Sequence, residues 1–162
     1  MAVFSRALST FLFLCLLVPF PAYAKKHETG FIDRTITIQA VNFKYQVFVP
    51  DDWTPQQKWP VILALHGAGE RGDDGLLQTD VGIGTAIRSN RRAIKAIVVM
   101  PQCPKTLWWM LPPMDDLAMA AMVQATKEFH GDSQRTYLTG CLWEALARGI
   151  LLRNIRENSR LL

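Results

Sequence analysis

The residues of this sequence best placed to do chemistry are backbone groups held by a glycine-rich turn. His66-Gly67-Ala68-Gly69-Glu70-Arg71-Gly72 follows directly on the apolar run Val61-Ile62-Leu63-Ala64-Leu65. Glycine lets backbone N–H groups crowd against a ligand, so such a turn can hold an anion or a developing oxyanion. The same residues also suit a tight strand-to-helix turn with no chemistry. The turn lacks the lysine and the Ser/Thr of a phosphate-binding P-loop, which argues against nucleotide binding. A second candidate is the loop Gln102-Cys103-Pro104-Lys105-Thr106-Leu107-Trp108-Trp109-Met110, whose Trp108 and Trp109 could form a substrate wall or simply pack. The cysteines give little. Beyond Cys15 there are Cys103 and Cys141, too few for a disulfide framework or a zinc site, and no cofactor or metal is expected.

These groups sit in a chain of 162 residues, 49% hydrophobic and 20% charged, with a formal charge of +4. That is one domain at most. Arg88, Arg91, Arg92 and Lys95 read as the wet face of a helix end. Without a recognition motif beside them, nucleic acid is not an expected partner. Residues 1–24 read as a secretory signal peptide. Arg6 supplies the positive start, Phe11 to Val18 the apolar core, and Ala22-Tyr23-Ala24 the small-x-small cleavage site. The apolar run is short for a bilayer span. Leu14 before Cys15 is not a lipoprotein signal. Cleavage after Ala24 is therefore expected, giving a secreted or periplasmic chain with no stable membrane insertion; an uncleaved anchor is the alternative.

The elements that must carry the turn follow from periodicity. Thr35 to Ile38 and Phe43 to Pro50 alternate like two half-exposed strands, with Gln39 to Asn42 as their turn. Asp51 to Pro60 is a loop whose Trp53 and Trp59 read as lids on the core. Val61 to Leu65 and Ala96 to Met100 are continuous apolar strands of the kind buried on both faces. Val81 to Arg92 could be helical, weakened by Gly82 and Gly84. Asp115 to about His130 is the clearest helix, with Leu117, Ala121, Ala125 and Phe129 on one face. Arg135 to Gly140 is the last strand. After an antiparallel opening, strands and helices alternate, which predicts an α/β fold with a mostly parallel sheet and helices on both faces.

Four segments resemble the alpha/beta-hydrolase superfamily, and within it the secreted phospholipase/carboxylesterase, predicted-peptidase and polyhydroxybutyrate depolymerase-like esterase group. They are Tyr45-Gln46-Val47-Phe48-Val49-Pro50, Leu65-His66-Gly67-Ala68-Gly69-Glu70-Arg71-Gly72-Asp73-Asp74, Pro101-Gln102-Cys103-Pro104 and Arg135-Thr136-Tyr137-Leu138-Thr139-Gly140. The resemblance implies that residues 25–140 form the N-terminal part of a three-layer alpha/beta-hydrolase sandwich, incomplete after the nucleophile elbow. It also implies the backbone N–H of Ala68 as first oxyanion donor, and the residue after the nucleophile, Trp143, as second. His66 is then a turn-shaping residue and not the catalytic base.

The resemblance breaks at the elbow itself. Where the family has Gly-Leu-Ser-Met-Gly-Gly, this chain reads Gly140-Cys141-Leu142-Trp143-Glu144-Ala145. Leu142 fills the serine slot, and a hydrocarbon cannot attack a carbonyl. Cys141 lies one place early. No acid or base can be assigned: the twenty residues after Leu142 hold no histidine, and Glu144 and Glu157 read as ordinary charges. One base restored before codon 141 makes Cys-Leu-Trp-Glu-Ala compatible with Leu-Ser-Met-Gly-Gly. The same frame lets Leu146-Ala147-Arg148-Gly149 become Phe-Gly-Thr-Trp. Residues 141–162 are therefore expected to be an out-of-frame tail, in which Arg148, Arg153, Arg156 and Arg160 carry no functional message. The expected function is a serine-type carboxylic ester hydrolase by ancestry, inactive in this chain. An intact relative would take a small-molecule or polymeric ester, polyester, feruloyl ester or peptide. The alternatives are a secreted non-catalytic protein binding a glycan or polymer through Trp108-Trp109, and an unfolded fragment.

Overall fold

The computed structural model describes residues 27–109 and 111–140. Residues 1–26, on which the expected signal peptide falls, Met110 and residues 141–162, with Cys15, Cys141, Leu142, Trp143, Glu144 and Glu157, lie outside the described residues. Among the described residues five strands form one sheet: β1 (Gly30–Ile38), β2 (Val41–Val49), β3 (Trp59–Leu65), β4 (Ile97–Pro101) and β5 (Gly131–Gly140), in the order β1-β2-β4-β3-β5. β1, β2 and β4 pair antiparallel, whereas β4-β3 and β3-β5 pair parallel. The two parallel crossovers carry α1 (Ile83–Ser89) and α2 (Met114–Glu128).

The helices cover opposite faces. Val61, Leu63 and Leu65 of β3 join Ile97 and Val99 of β4 against Leu117, Ala121 and Ala125 of α2. The intervening Ala64, Val98 and Met100 pack instead with Ile87 of α1. Continuous apolar strands are what a sheet covered on both faces requires. Trp53 and Trp59 close one end of the core as expected. Their ring N–H groups donate to Phe129 O at 2.8 Å and Thr54 O at 3.0 Å.

Element ends differ from the sequence expectation for local reasons. The β1–β2 turn is only Gln39-Ala40, both at positive φ (49° and 65°), so pairing extends to Ile38–Val41. Such a two-residue hairpin turn normally announces itself with Asn or Gly, which are absent here. α1 begins at Ile83, because Gly82 at φ 59° cannot continue a helix backwards. His130, not Gly131, takes the left-handed position after α2 (φ 54°). Gly131 can thus open β5 directly. A Cβ there would meet Val61 Cγ2 at 2.5 Å, so the strand and α2 close onto bare backbone. No described helix is long and apolar enough to cross a membrane.

Candidate active site

The carboxyl ends of the parallel strands β3, β4 and β5 bring together His66, Gln102 and Gly140, the place where α/β sheets commonly hold ligands. The glycine turn leaves β3 there and forms a short 3-10 turn at Ala68–Glu70. Ala68 and Gly69 are exposed, and no side chain caps the turn. Its shape is set from its flanks. His66 Nδ1 lies 2.7 Å from Gly67 O, and His66 Nε2 lies 2.9 Å from Cys103 N. A carbonyl only accepts and a backbone N–H only donates, so the proton is on Nδ1 and Nε2 accepts. In a trans peptide the C=O and the next N–H point opposite ways. Holding Gly67 O therefore aims the Ala68 N–H away from the ring.

With both nitrogens engaged and the ring buried, His66 has no free position for a general base. Burial pushes its pKa below the ordinary histidine value, partly opposed by the hydrogen bond to Gly67, so the neutral tautomer is kept. The Cys103 thiol is also buried and its pKa is pushed up to about 12, the opposite of what a nucleophilic thiolate needs.

A polar frame behind the turn fixes the loops. Gln102 Oε1 accepts from Gly75 N–H at 2.7 Å, while its Nε2 donates to Glu70 O and to Asp74 Oδ1, both at 3.2 Å. Asp74 Oδ1 also accepts from Leu76 and Leu77 N–H, which, with the Gln102 amide, hold its carboxyl below the usual range. Ala64, Leu65, His66, Val81, Thr139 and Gly140 help line a cavity of about 130 Å³ between β3, β5 and the Gly82 turn. At Gly140 a Cβ would lie 2.7 Å from Leu65 O, so β5 approaches β3 closely where it leaves the sheet. Among the described residues no group of three or more His, Cys, Asp or Glu is arranged to hold a metal.

The two tryptophans separate. Trp109 is buried, stacks edge-on against His66 at 5.1 Å, and its Nε1–H donates to His66 O at 3.0 Å. Trp108 is 43% exposed and lies under the Arg71 guanidinium, 3.7 Å from carbon to ring centroid. Leu142 and Trp143 lie outside the described residues. The roles of Arg71 and Gln102 are not legible in the sequence. Both stand inside the quoted motifs, but their partners are backbone carbonyls and amides that residue types do not reveal.

The sheet order, with helices on both faces and a glycine turn after β3, defines a partial alpha/beta-hydrolase arrangement. The crystal structure of a thermostable esterase shares it, with 31% identity and a TM-score of 0.58 over 68% of this chain and 34% of that one. Esterase 2 of Thermogutta terrifontis, phosphoramylated by tabun, aligns with a TM-score of 0.50 at 14% identity, over 68% and 42% of the two chains. The chain spans about a third of the length of the thermostable esterase. No curated protein matches it. The Esterase family profile matches residues 39–139, well over half of the sequence, and the chain belongs to that family.

Proposed function

We propose that this chain carries the first part of an exported serine-type carboxylic ester hydrolase and does not itself turn over substrate. In the complete enzyme a serine after β5 would attack an ester carbonyl, and the oxyanion would be held by the Ala68 N–H and by the N–H following the serine. Position 142, the serine slot, is leucine. The observation that carries this reading is the His66 clamp. A buried imidazole bonded to Gly67 O and Cys103 N–H sets the direction of the Ala68 N–H beside the end of β5.

A one-base loss near codon 141 accounts for the leucine. The family match ends at residue 139, although the chain continues to residue 162. Resequencing the gene through codon 141 tests this. One added base should open a frame with Leu-Ser-Met-Gly-Gly after Gly140, followed later by an aspartate and a histidine. A gene with no such frame refutes the reading. The substrate class stays at carboxylic ester, whether small-molecule or polymeric.

A second reading, a secreted non-catalytic protein for a glycan or polymer, is favoured by one observation, the exposed Trp108 ring. Quenching or protection of Trp108 by a soluble oligosaccharide would support it.

A further inference from the structure

Besides His66 and Gln102, a third side chain holds the turn, and it has no role in the scheme above. Arg71 Nε donates to Ala68 O at 3.1 Å, and its Nη1 donates to Lys105 O at 3.0 Å and Leu107 O at 3.3 Å. One guanidinium thus bonds three carbonyls in two loops, with the Trp108 ring against its plane. Arginine suits this because its donors sit in a rigid planar fork that also stacks on aromatic faces. Beyond Arg71, the far half of the turn is held by Gln102 Nε2 on Glu70 O at 3.2 Å and by the Gly72 N–H on Cys103 O at 2.9 Å, neither of which touches the Ala68–Gly69 peptide. Ala68 and Gly69 are exposed, a Cβ on Gly69 would meet nothing within 4 Å, and the Glu70 N–H reaches Gly67 O only at 3.4 Å.

We infer that Arg71 is a positioning residue for the oxyanion turn: it orients the Ala68–Gly69 peptide and straps the turn to the Lys105–Leu107 loop, with Trp108 as its cover. Because C=O and N–H oppose each other across a peptide, holding Ala68 O aims the Gly69 N–H to the side away from the guanidinium. His66 does the same for the preceding peptide through Gly67 O. Two consecutive N–H groups are then fixed by two side chains, each anchored in the β4–α2 loop through Cys103 or through Lys105 and Leu107. The role rests on the proposed reading in one respect, that the Ala68 N–H is an anion donor.

The experiment uses the full chain with its Arg71 and as Arg71→Lys and Arg71→Ala, followed by ¹H–¹⁵N NMR. Lysine keeps the charge but cannot reach three carbonyls from a planar fork. With Arg71 present, its Nε–H should exchange slowly. In both variants the Glu70, Gly72 and Leu107 amides should exchange about tenfold faster, the scale of a lost charge-assisted hydrogen bond, while Leu63 and Val99 amides keep their rates. Sodium acetate, as an oxyanion-like probe, should shift the Ala68 and Gly69 amides with Arg71 present and markedly less in either variant. An Arg71 Nε–H exchanging at the free rate overturns the inference without any variant having to fold. So do unchanged Glu70 and Leu107 rates, or equal acetate shifts with Arg71 and with Arg71→Lys. Arg71-dependent protection without any acetate shift at Ala68 supports the strap and refutes the oxyanion reading instead.

Discussion

Replacing His66 by phenylalanine removes two ring nitrogens while keeping a ring against Trp109, so it isolates the polar part of the clamp. Two hydrogen bonds are lost, those to Gly67 O at 2.7 Å and from Cys103 N–H at 2.9 Å. Gly67 O retains the long bond from Glu70 N–H, but Cys103 N–H is left buried without an acceptor. An ordinary hydrogen bond contributes about 1 kcal/mol and an orphaned buried donor costs about 1–3 kcal/mol, so His66→Phe should destabilise the chain by about 2–4 kcal/mol. Urea unfolding followed by tryptophan fluorescence measures this, with an unchanged slope showing that the same structure unfolds. A loss under about 1 kcal/mol would refute the clamp. The pH dependence carries the same test. The folded-state pKa of His66 lies below its unfolded value, so the unfolded chain takes the proton first. Stability from this residue is full above the unfolded value of about 6.5 and is lost as pH falls through the lower folded-state pKa. His66→Phe should remove that component of the pH profile.

Gly84→Ala should cost more than helix propensity would suggest, about 2 kcal/mol or more, because its Cβ would run into Thr79 O in a neighbouring backbone turn; thermal melts measure it. Leu117→Ala, at a fully buried position facing β3 and β4, should lose about 2–5 kcal/mol by urea titration, and a loss under 1 kcal/mol would show that α2 does not pack as described. Trp108→Ala, at an exposed ring, should change stability by less than about 1 kcal/mol. A larger loss would show Trp108 to be core.

The strands β3 and β4 were legible because apolar runs without alternation have few other uses, and the α2 face because its residues recur at helical spacing. The hairpin was legible too, but not its tight turn, since nothing in Gln39-Ala40 advertises two left-handed residues. The start of β5 was hidden for a related reason. Gly131 looks like a helix stop, yet it serves close packing while His130 makes the stop. At the site, the glycine turn and its histidine could be read as an anion holder, and the two tryptophans could only be read as a pair. Their separation, one bonded to His66 O and the other under Arg71, depends on contacts between loops distant in sequence. The same holds for Gln102, whose partners are turn backbone at Glu70 and Gly75.

An esterase-family sheet whose proposed nucleophile slot, position 142, holds leucine should carry no ester hydrolysis. The most direct measurement is short-chain p-nitrophenyl ester hydrolysis by the purified chain, beside its Ala68→Pro and Leu142→Ser variants, with far-UV circular dichroism confirming a folded sheet. No turnover above buffer is expected for the chain or for Leu142→Ser, which restores a hydroxyl without an assigned acid and base. Turnover by the unaltered chain that disappears in Ala68→Pro would refute the proposed inactivity.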